Sequence, residues 1–110
     1  MATVPSPLSG TFSGTGESDA VLVRGACNIT LKFGGAVATV RLEKSFDGGS
    51  TWFTVSKNTV PEDASFTDSV SAVIEEHEGG VLYRWNCSAY TSGAVIYRIG
   101  KADGPRREFI

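Results

Sequence analysis

The chain has few of the side chains that most often do chemistry. Its 110 residues include one histidine, one methionine and two cysteines. A zinc site normally needs three or four N, S or O ligands at set spacing, and His77 stands alone in EEHEGG beside Glu75, Glu76 and Glu78. That stretch also lacks the D-x-D-x-D-G alternation of a calcium loop, so it reads as a solvated acidic turn. No segment approaches the ~18 apolar residues of a membrane helix. The amino end, MATVPSPLSG, has no basic region and no apolar run, so no signal peptide is expected and the product is expected in the cytoplasm. A net charge of −2 gives no electrostatic reason to bind nucleic acid. Cys27 and Cys87 are too few for a disulfide framework. Each lies in an alternating apolar run, where buried free thiols are expected in a reduced compartment.

Enzyme signatures are equally sparse. No serine sits in G-x-S-x-G, and one histidine leaves little to activate a nucleophile. The glycine pairs precede no helical pattern, so they form no phosphate-cradling loop. No cofactor, no metal and no catalytic constellation are expected.

What the chain does have is a period of two. Cys27, Ile29, Leu31 and Phe33 alternate with polar residues, as do Ala38, Val40, Leu42 and Phe46. Lys44 is the one polar residue on the apolar side of that second run. Val81, Tyr83, Trp85, Cys87 and Ala89 form a third run, and Val95, Tyr97 and Ile99 a fourth. This is the pattern of half-buried strands, and weaker strands are predicted over 9–14, 20–24, 52–57, 64–70 and 71–76. Among thirteen glycines, those of GG 34–35, DGG 47–49, EGG 78–80 and TSG 91–93 are placed to turn the chain between strands. The patterning predicts hairpins joining 80–90 to 93–101 and 37–46 to 51–57. Eight or nine strands without helices mean an all-β fold, a two-sheet antiparallel sandwich or a small barrel.

The sandwich is expected over 9–101, with an extended arm at 1–8, where Pro5 and Pro7 rule out a central strand, and a tail at 102–110. Arg41, Arg84, Arg98 and Lys32 could form a basic stripe on an outer sheet face. Phe53, Val55, Leu82, Tyr90 and Ile96 fall outside the core alternation and, with Arg106, Arg107 and Phe109 of the tail, are the candidates for a partner interface.

One stretch carries a recognisable motif. SFDGGSTW, residues 45–52, fits S-x-D-x-G-x-T-W at every specified position. It resembles the Asp box of sialidases and related propeller glycosidases. The resemblance implies a hairpin turn in which Ser45 and Asp47 satisfy loop amides, Gly49 takes a positive φ, and Thr51 and Trp52 lead into the next strand. Those roles are structural, and a turn motif grafts onto many folds. GVLYRWNCSAY, with Cys87 two residues after Trp85 and sixty after Cys27, also resembles an immunoglobulin strand, which makes an immunoglobulin-like Greek key the alternative topology.

Taken over most of its length, through VRLEKSFDGGSTWFTV and LYRWNCSAYTSGAVIYRIG, the chain resembles the decoration, or cement, proteins of epsilon15-like short-tailed bacteriophage capsids. That resemblance implies a jelly-roll-like sandwich on the virion surface, assembled in the host cytoplasm as a homodimer. It would bind the phage major capsid protein and staple neighbouring coat subunits without catalysis. Two other functions remain open: a carbohydrate-binding β-module, and a phage tail or fibre joining domain.

Overall fold

The computed structural model describes residues 3–4, 7–57, 62–63 and 65–101, with the side chains of 56–57, 62–63, 77 and 101 outside that description. The expectations placed on Arg106, Arg107 and Phe109 therefore lie outside the described residues. Among the described residues eleven strands follow one another: β1 (Thr3–Val4), β2 (Leu8–Phe12), β3 (Gly16–Glu17), β4 (Ala20–Lys32), β5 (Val37–Ser45), β6 (Phe53–Thr54), β7 (Ser56–Lys57), β8 (Glu62–Asp63), β9 (Ser65–Phe66), β10 (Val70–Ser92) and β11 (Val95–Lys101). Among the described residues there is no helix, so the protein is all-β, as the period of two predicts.

Two long strands organise the sheet. Its order is β2-β11-β4-β10-β5-β6, with β1 beside β4, β3 beside β10 and β9 beside β5. Pairing is antiparallel except for the two-residue contact of β1 with β4, and β7 and β8 form a small separate ladder. β10 runs Val70–Glu76 against Leu31–Gly25 of β4, shifts register between Glu76 and Val81, and then pairs Val81–Tyr83 with Val23–Val21. Its later half, Leu82–Ser92, pairs with β5.

The register shift corrects one expectation. EGG 78–80 does not reverse the chain. Both flanking segments pair with the same partner, β4, in the same direction, so the extra residues form an irregularity inside one strand. Gly80 (φ 78°) and Gly25 (φ 81°), the latter opposite Glu76, supply the unusual backbone there. For the same reason 20–24 and 27–33 belong to one strand. A strand bent by such a bulge can pass from one layer of a sandwich into the other.

The expected hairpin of 80–90 with 93–101 is also corrected. β11 lies between β2 and β4, whereas β10 lies between β4 and β5, so TSG is a crossover between non-neighbours. Alternation could not distinguish the two, because both arrangements bury the same faces. The connection is tight: Gly93 has φ 87°, and a Cβ there would come within 2.7 Å of the Ala36 Cα, so the turns at 34–36 and 91–94 stack at one end of the fold. The expected 37–46 to 51–57 hairpin is present in shorter form, with Glu43 and Lys44 paired to Thr54 and Phe53.

The inner faces of the folded sheet meet in one core. Val21, Val23, Ile29 and Leu31 of β4, Val40 and Leu42 of β5, and Val81, Tyr83 and Trp85 of β10 are buried in it with Val95 and Ile99 of β11. Trp85, fully buried, reaches across: its Nε1 donates to the Arg98 carbonyl at 3.4 Å, on a strand that does not pair with its own. Phe66 meets its ring edge-on at 6.1 Å. This sandwich-like closure, one sheet folded over its own apolar face, sets where polar side chains can emerge. Cys27 and Cys87 are free and buried in the same core.

Candidate functional site

The Asp box lies where β5 runs out into β6. Ser45 is fully buried, and its hydroxyl does three things at once. It donates to Asp47 Oδ1 at 2.8 Å and accepts from the amides of Gly49 at 2.9 Å and Asp47 at 3.4 Å. Asp47 Oδ1 accepts further bonds from the amides of Ser50 and Thr51 at 3.1 and 2.9 Å. The Thr51 amide, followed by the Ser45 hydroxyl and Thr51 side chain, holds the Asp47 carboxyl at a pKa of about 2. Gly48 and Gly49, at φ 76° and 101°, bend the chain so these amides converge, and the Trp52 indole N–H closes the turn on the Gly49 carbonyl at 3.0 Å.

The box is also fastened to the outer face of the sheet. The Arg84 guanidinium lies 4.1 Å from the Trp52 ring centre, and its Nε donates to Glu43 Oε1 at 2.9 Å. Glu43, though buried, has its charge matched: Asn86 donates to Oε2 at 3.0 Å and Arg41 approaches to 3.9 Å. All the expected box residues thus build a turn whose polar groups bond within the chain. Ser45→Ala is predicted to cost about 1–3 kcal/mol, because it leaves the Gly49 amide and Asp47 without their shared partner. A lowered midpoint in urea unfolding, at unchanged slope, would register it.

The basic stripe is corrected by the same geometry. Arg41 and Arg84 gather on Glu43, on the β5–β10 pair, while Lys32 and Arg98 lie on β4 and β11 opposite Ile96 and Thr30. They belong to two different parts of the sheet.

A second polar cluster occupies the bend of β10. Glu76 is buried rather than part of a solvated turn. Its Oε1 accepts from the Tyr83 hydroxyl at 2.7 Å and Lys44 Nζ at 3.4 Å, and Oε2 accepts from the Glu78 amide at 3.2 Å. Burial pushes its carboxyl up, but these donors more than reverse that and the net shift is downward. Burial and then the Glu76 hydrogen bond push Tyr83 well above the ordinary phenol range. Cys27 is pushed up to about 11 by burial and by the charge of Glu76, which keeps it a thiol at neutral pH. The sequence held a signal for this cluster: Lys44 falls in the apolar register of β5, and Glu76 in that of Val70 and Ile74.

Beside the cluster opens a cleft of about 460 Å³ lined by Lys44, Thr54, Val55, Val73, Ile74, Glu75 and Tyr83. A shallower one of about 250 Å³ lies at the opposite end, around Val37, Thr67 and Tyr90. Among the described residues, no group of three or more His, Cys, Asp and Glu is placed to hold a metal ion.

The interface candidates do not form one patch. Phe53 is exposed on β6, 6.4 Å from the Phe46 ring, and Val55 lines the larger cleft half-buried. Ile96 is exposed on β11, in another part of the sheet. Tyr90 is half-buried with its hydroxyl on the Gly93 carbonyl at 2.7 Å, and Leu82 is covered by its own chain at 7% exposure. Conversely, Phe46, assigned to the core by alternation, is exposed at the end of β5, as is Val73 beside the cleft.

What these features define is a sandwich-like β-domain with a self-contained Asp-box turn and scattered exposed apolar side chains. Compared with known proteins, the chain matches no family model, no curated protein and no solved structure.

Proposed function

We propose that the protein is a non-enzymatic structural component of a tailed-phage virion, bound to the outside of the capsid and stabilising contacts between coat subunits. The observation that carries this reading is how the surface is divided. The prominent polar groups, those of the Asp box, Glu43 and Glu76, are engaged within the chain. Phe46, Phe53, Val73 and Ile96 instead stand 46–61% exposed on a sheet framework. Apolar side chains held outward on a rigid body suit docking to another protein. The resemblance, over most of the chain, to capsid decoration proteins supports the major capsid protein as the partner.

A carbohydrate-binding module has less support, since the Trp52 ring that would serve as its platform is stacked under Arg84 and hydrogen-bonded to Gly49. A tail or fibre joining domain would share the fold and differ in partner. Co-sedimentation with empty phage heads tests the proposal. Saturable pelleting is expected with heads and not with tails, weakened several-fold by Phe53→Ser. Pelleting with tails alone would assign the protein to the joining class, and none with either would overturn the virion reading.

A further inference from the structure

We infer that β2 is a dimerisation edge, along which a second copy of this chain adds its own β2 antiparallel, so that the sheet continues from one subunit into the next. β2 pairs with β11 on one side, and among the described residues no strand lies on the other. An open edge presents a row of unpaired backbone groups, which proteins normally blunt with charge, proline or a bulge. β2 has none of these within its span. It reads LSGTF, pairs without a register shift, and lies in a stretch where no side chain from Met1 to Gly16 is ionisable, Pro7 standing just before it. The edge along Val70–Glu76 of β10, also without a second strand among the described residues, differs, for exposed Glu75 stands on it.

The occupant is read from the strand itself. About Gly10, LSGTF is a palindrome of residue class: apolar, hydroxyl, glycine, hydroxyl, apolar. Leu8 and Phe12 turn into the core, and Ser9 and Thr11 are exposed on the outer face. A two-fold axis through Gly10 sets Leu8 opposite Phe12 of the second copy, and Ser9 opposite its Thr11. Every inward residue then faces an inward one, and every hydroxyl a hydroxyl, a favourable cross-strand pair. That is the isologous self-match a two-fold dimer requires. Tyr97 covers Gly10 from the inner side, so closely that a Cβ would collide with its ring, and this holds the middle of the edge in place. On the outer face exposed Ile96, beside Thr11, would stand in one row with Ser9 of the second copy. Strand addition of this kind draws affinity from main-chain hydrogen bonds, so the dimer is concentration-dependent.

The test is analytical ultracentrifugation of the full chain, with variants that leave the core alone. The wild type is expected to dimerise reversibly. The double variant Ser9→Lys/Thr11→Lys sets like charges opposite each other twice and should raise the dimer dissociation constant at least about tenfold, with an unchanged circular dichroism spectrum. The register has its own readout in otherwise wild-type chains. Ser9→Cys mixed with Thr11→Cys should form a disulfide-linked heterodimer under mild oxidation, which neither variant forms alone. A protein that stays monomeric up to about 1 mM overturns the inference. So does a dimer indifferent to the lysines that gives no mixed disulfide. The inference stands apart from the capsid proposal: failure to bind heads leaves it intact, and a monomer in solution leaves head binding open.

Discussion

Trp85→Ala is expected to remove about 3–5 kcal/mol, a large share of the stability of the fold. The side chain is the largest that is fully buried, and it is the one whose indole joins β10 to the backbone of β11 across the core. Truncating a buried aromatic costs about 3–5 kcal/mol through lost transfer energy and the cavity left behind. A domain of this size has only about 5–15 kcal/mol in total, and here the indole N–H bond and the Phe66 edge contact go as well. Guanidinium titration followed by far-UV circular dichroism checks it. Trp85→Phe separates packing from the hydrogen bond and should recover more than half of the loss. If Trp85→Ala were as stable as the wild type, the two layers could not be closed around that side chain.

Glu76→Ala is the second large effect, about 2–4 kcal/mol, because it leaves the buried Tyr83 hydroxyl without its acceptor and removes the bond that ties the Glu78 amide into the bend. Tyr83→Phe, which removes only the hydroxyl, should cost less, and the double variant should cost less than the sum of the two. The carboxylate also gives the protein an acid limb. The Glu76 pKa is lowered in the folded state from an ordinary value of 4.5, so its contribution is fully present above pH 4.5 and is lost as pH falls through the folded value. Asp47 acts in the same direction between its ordinary value of 3.8 and about 2. Stability measured against pH should therefore fall below pH 4.5 in the wild type and fall less steeply in Glu76→Gln. An identical acid limb in the two proteins would mean that Glu76 titrates normally in the folded state.

These two residues also show how far the sequence could be read. The period of two placed Trp85 in a buried strand, and the same pattern located most of the core, because alternation directly reports a sheet with one apolar face. The Asp box was legible in full, since each of its roles is met by residues within eight positions of one another. Connectivity was not. EGG 78–80 has the composition of a hairpin turn, and whether such a segment reverses the chain or bulges depends on β4, fifty residues away, which pairs with both of its flanks. TSG 91–93 misled for a similar reason, since the two strands it joins find partners elsewhere. Exposure at strand ends was also hidden: Phe46 keeps the apolar register of β5 but lies where the strand leaves the sandwich. The Lys44–Glu76 pair was half visible, as two charges in apolar registers far apart in sequence.

The capsid reading turns on stabilisation more than on binding alone. Empty phage heads should be heated in steps with and without saturating protein, and intact particles counted by light scattering and electron microscopy. The account predicts that decorated heads survive to a higher temperature, and that Phe53→Ser, with its fold unchanged, loses that protection. Heads that bind the protein yet disassemble at the same temperature as bare ones would contradict it.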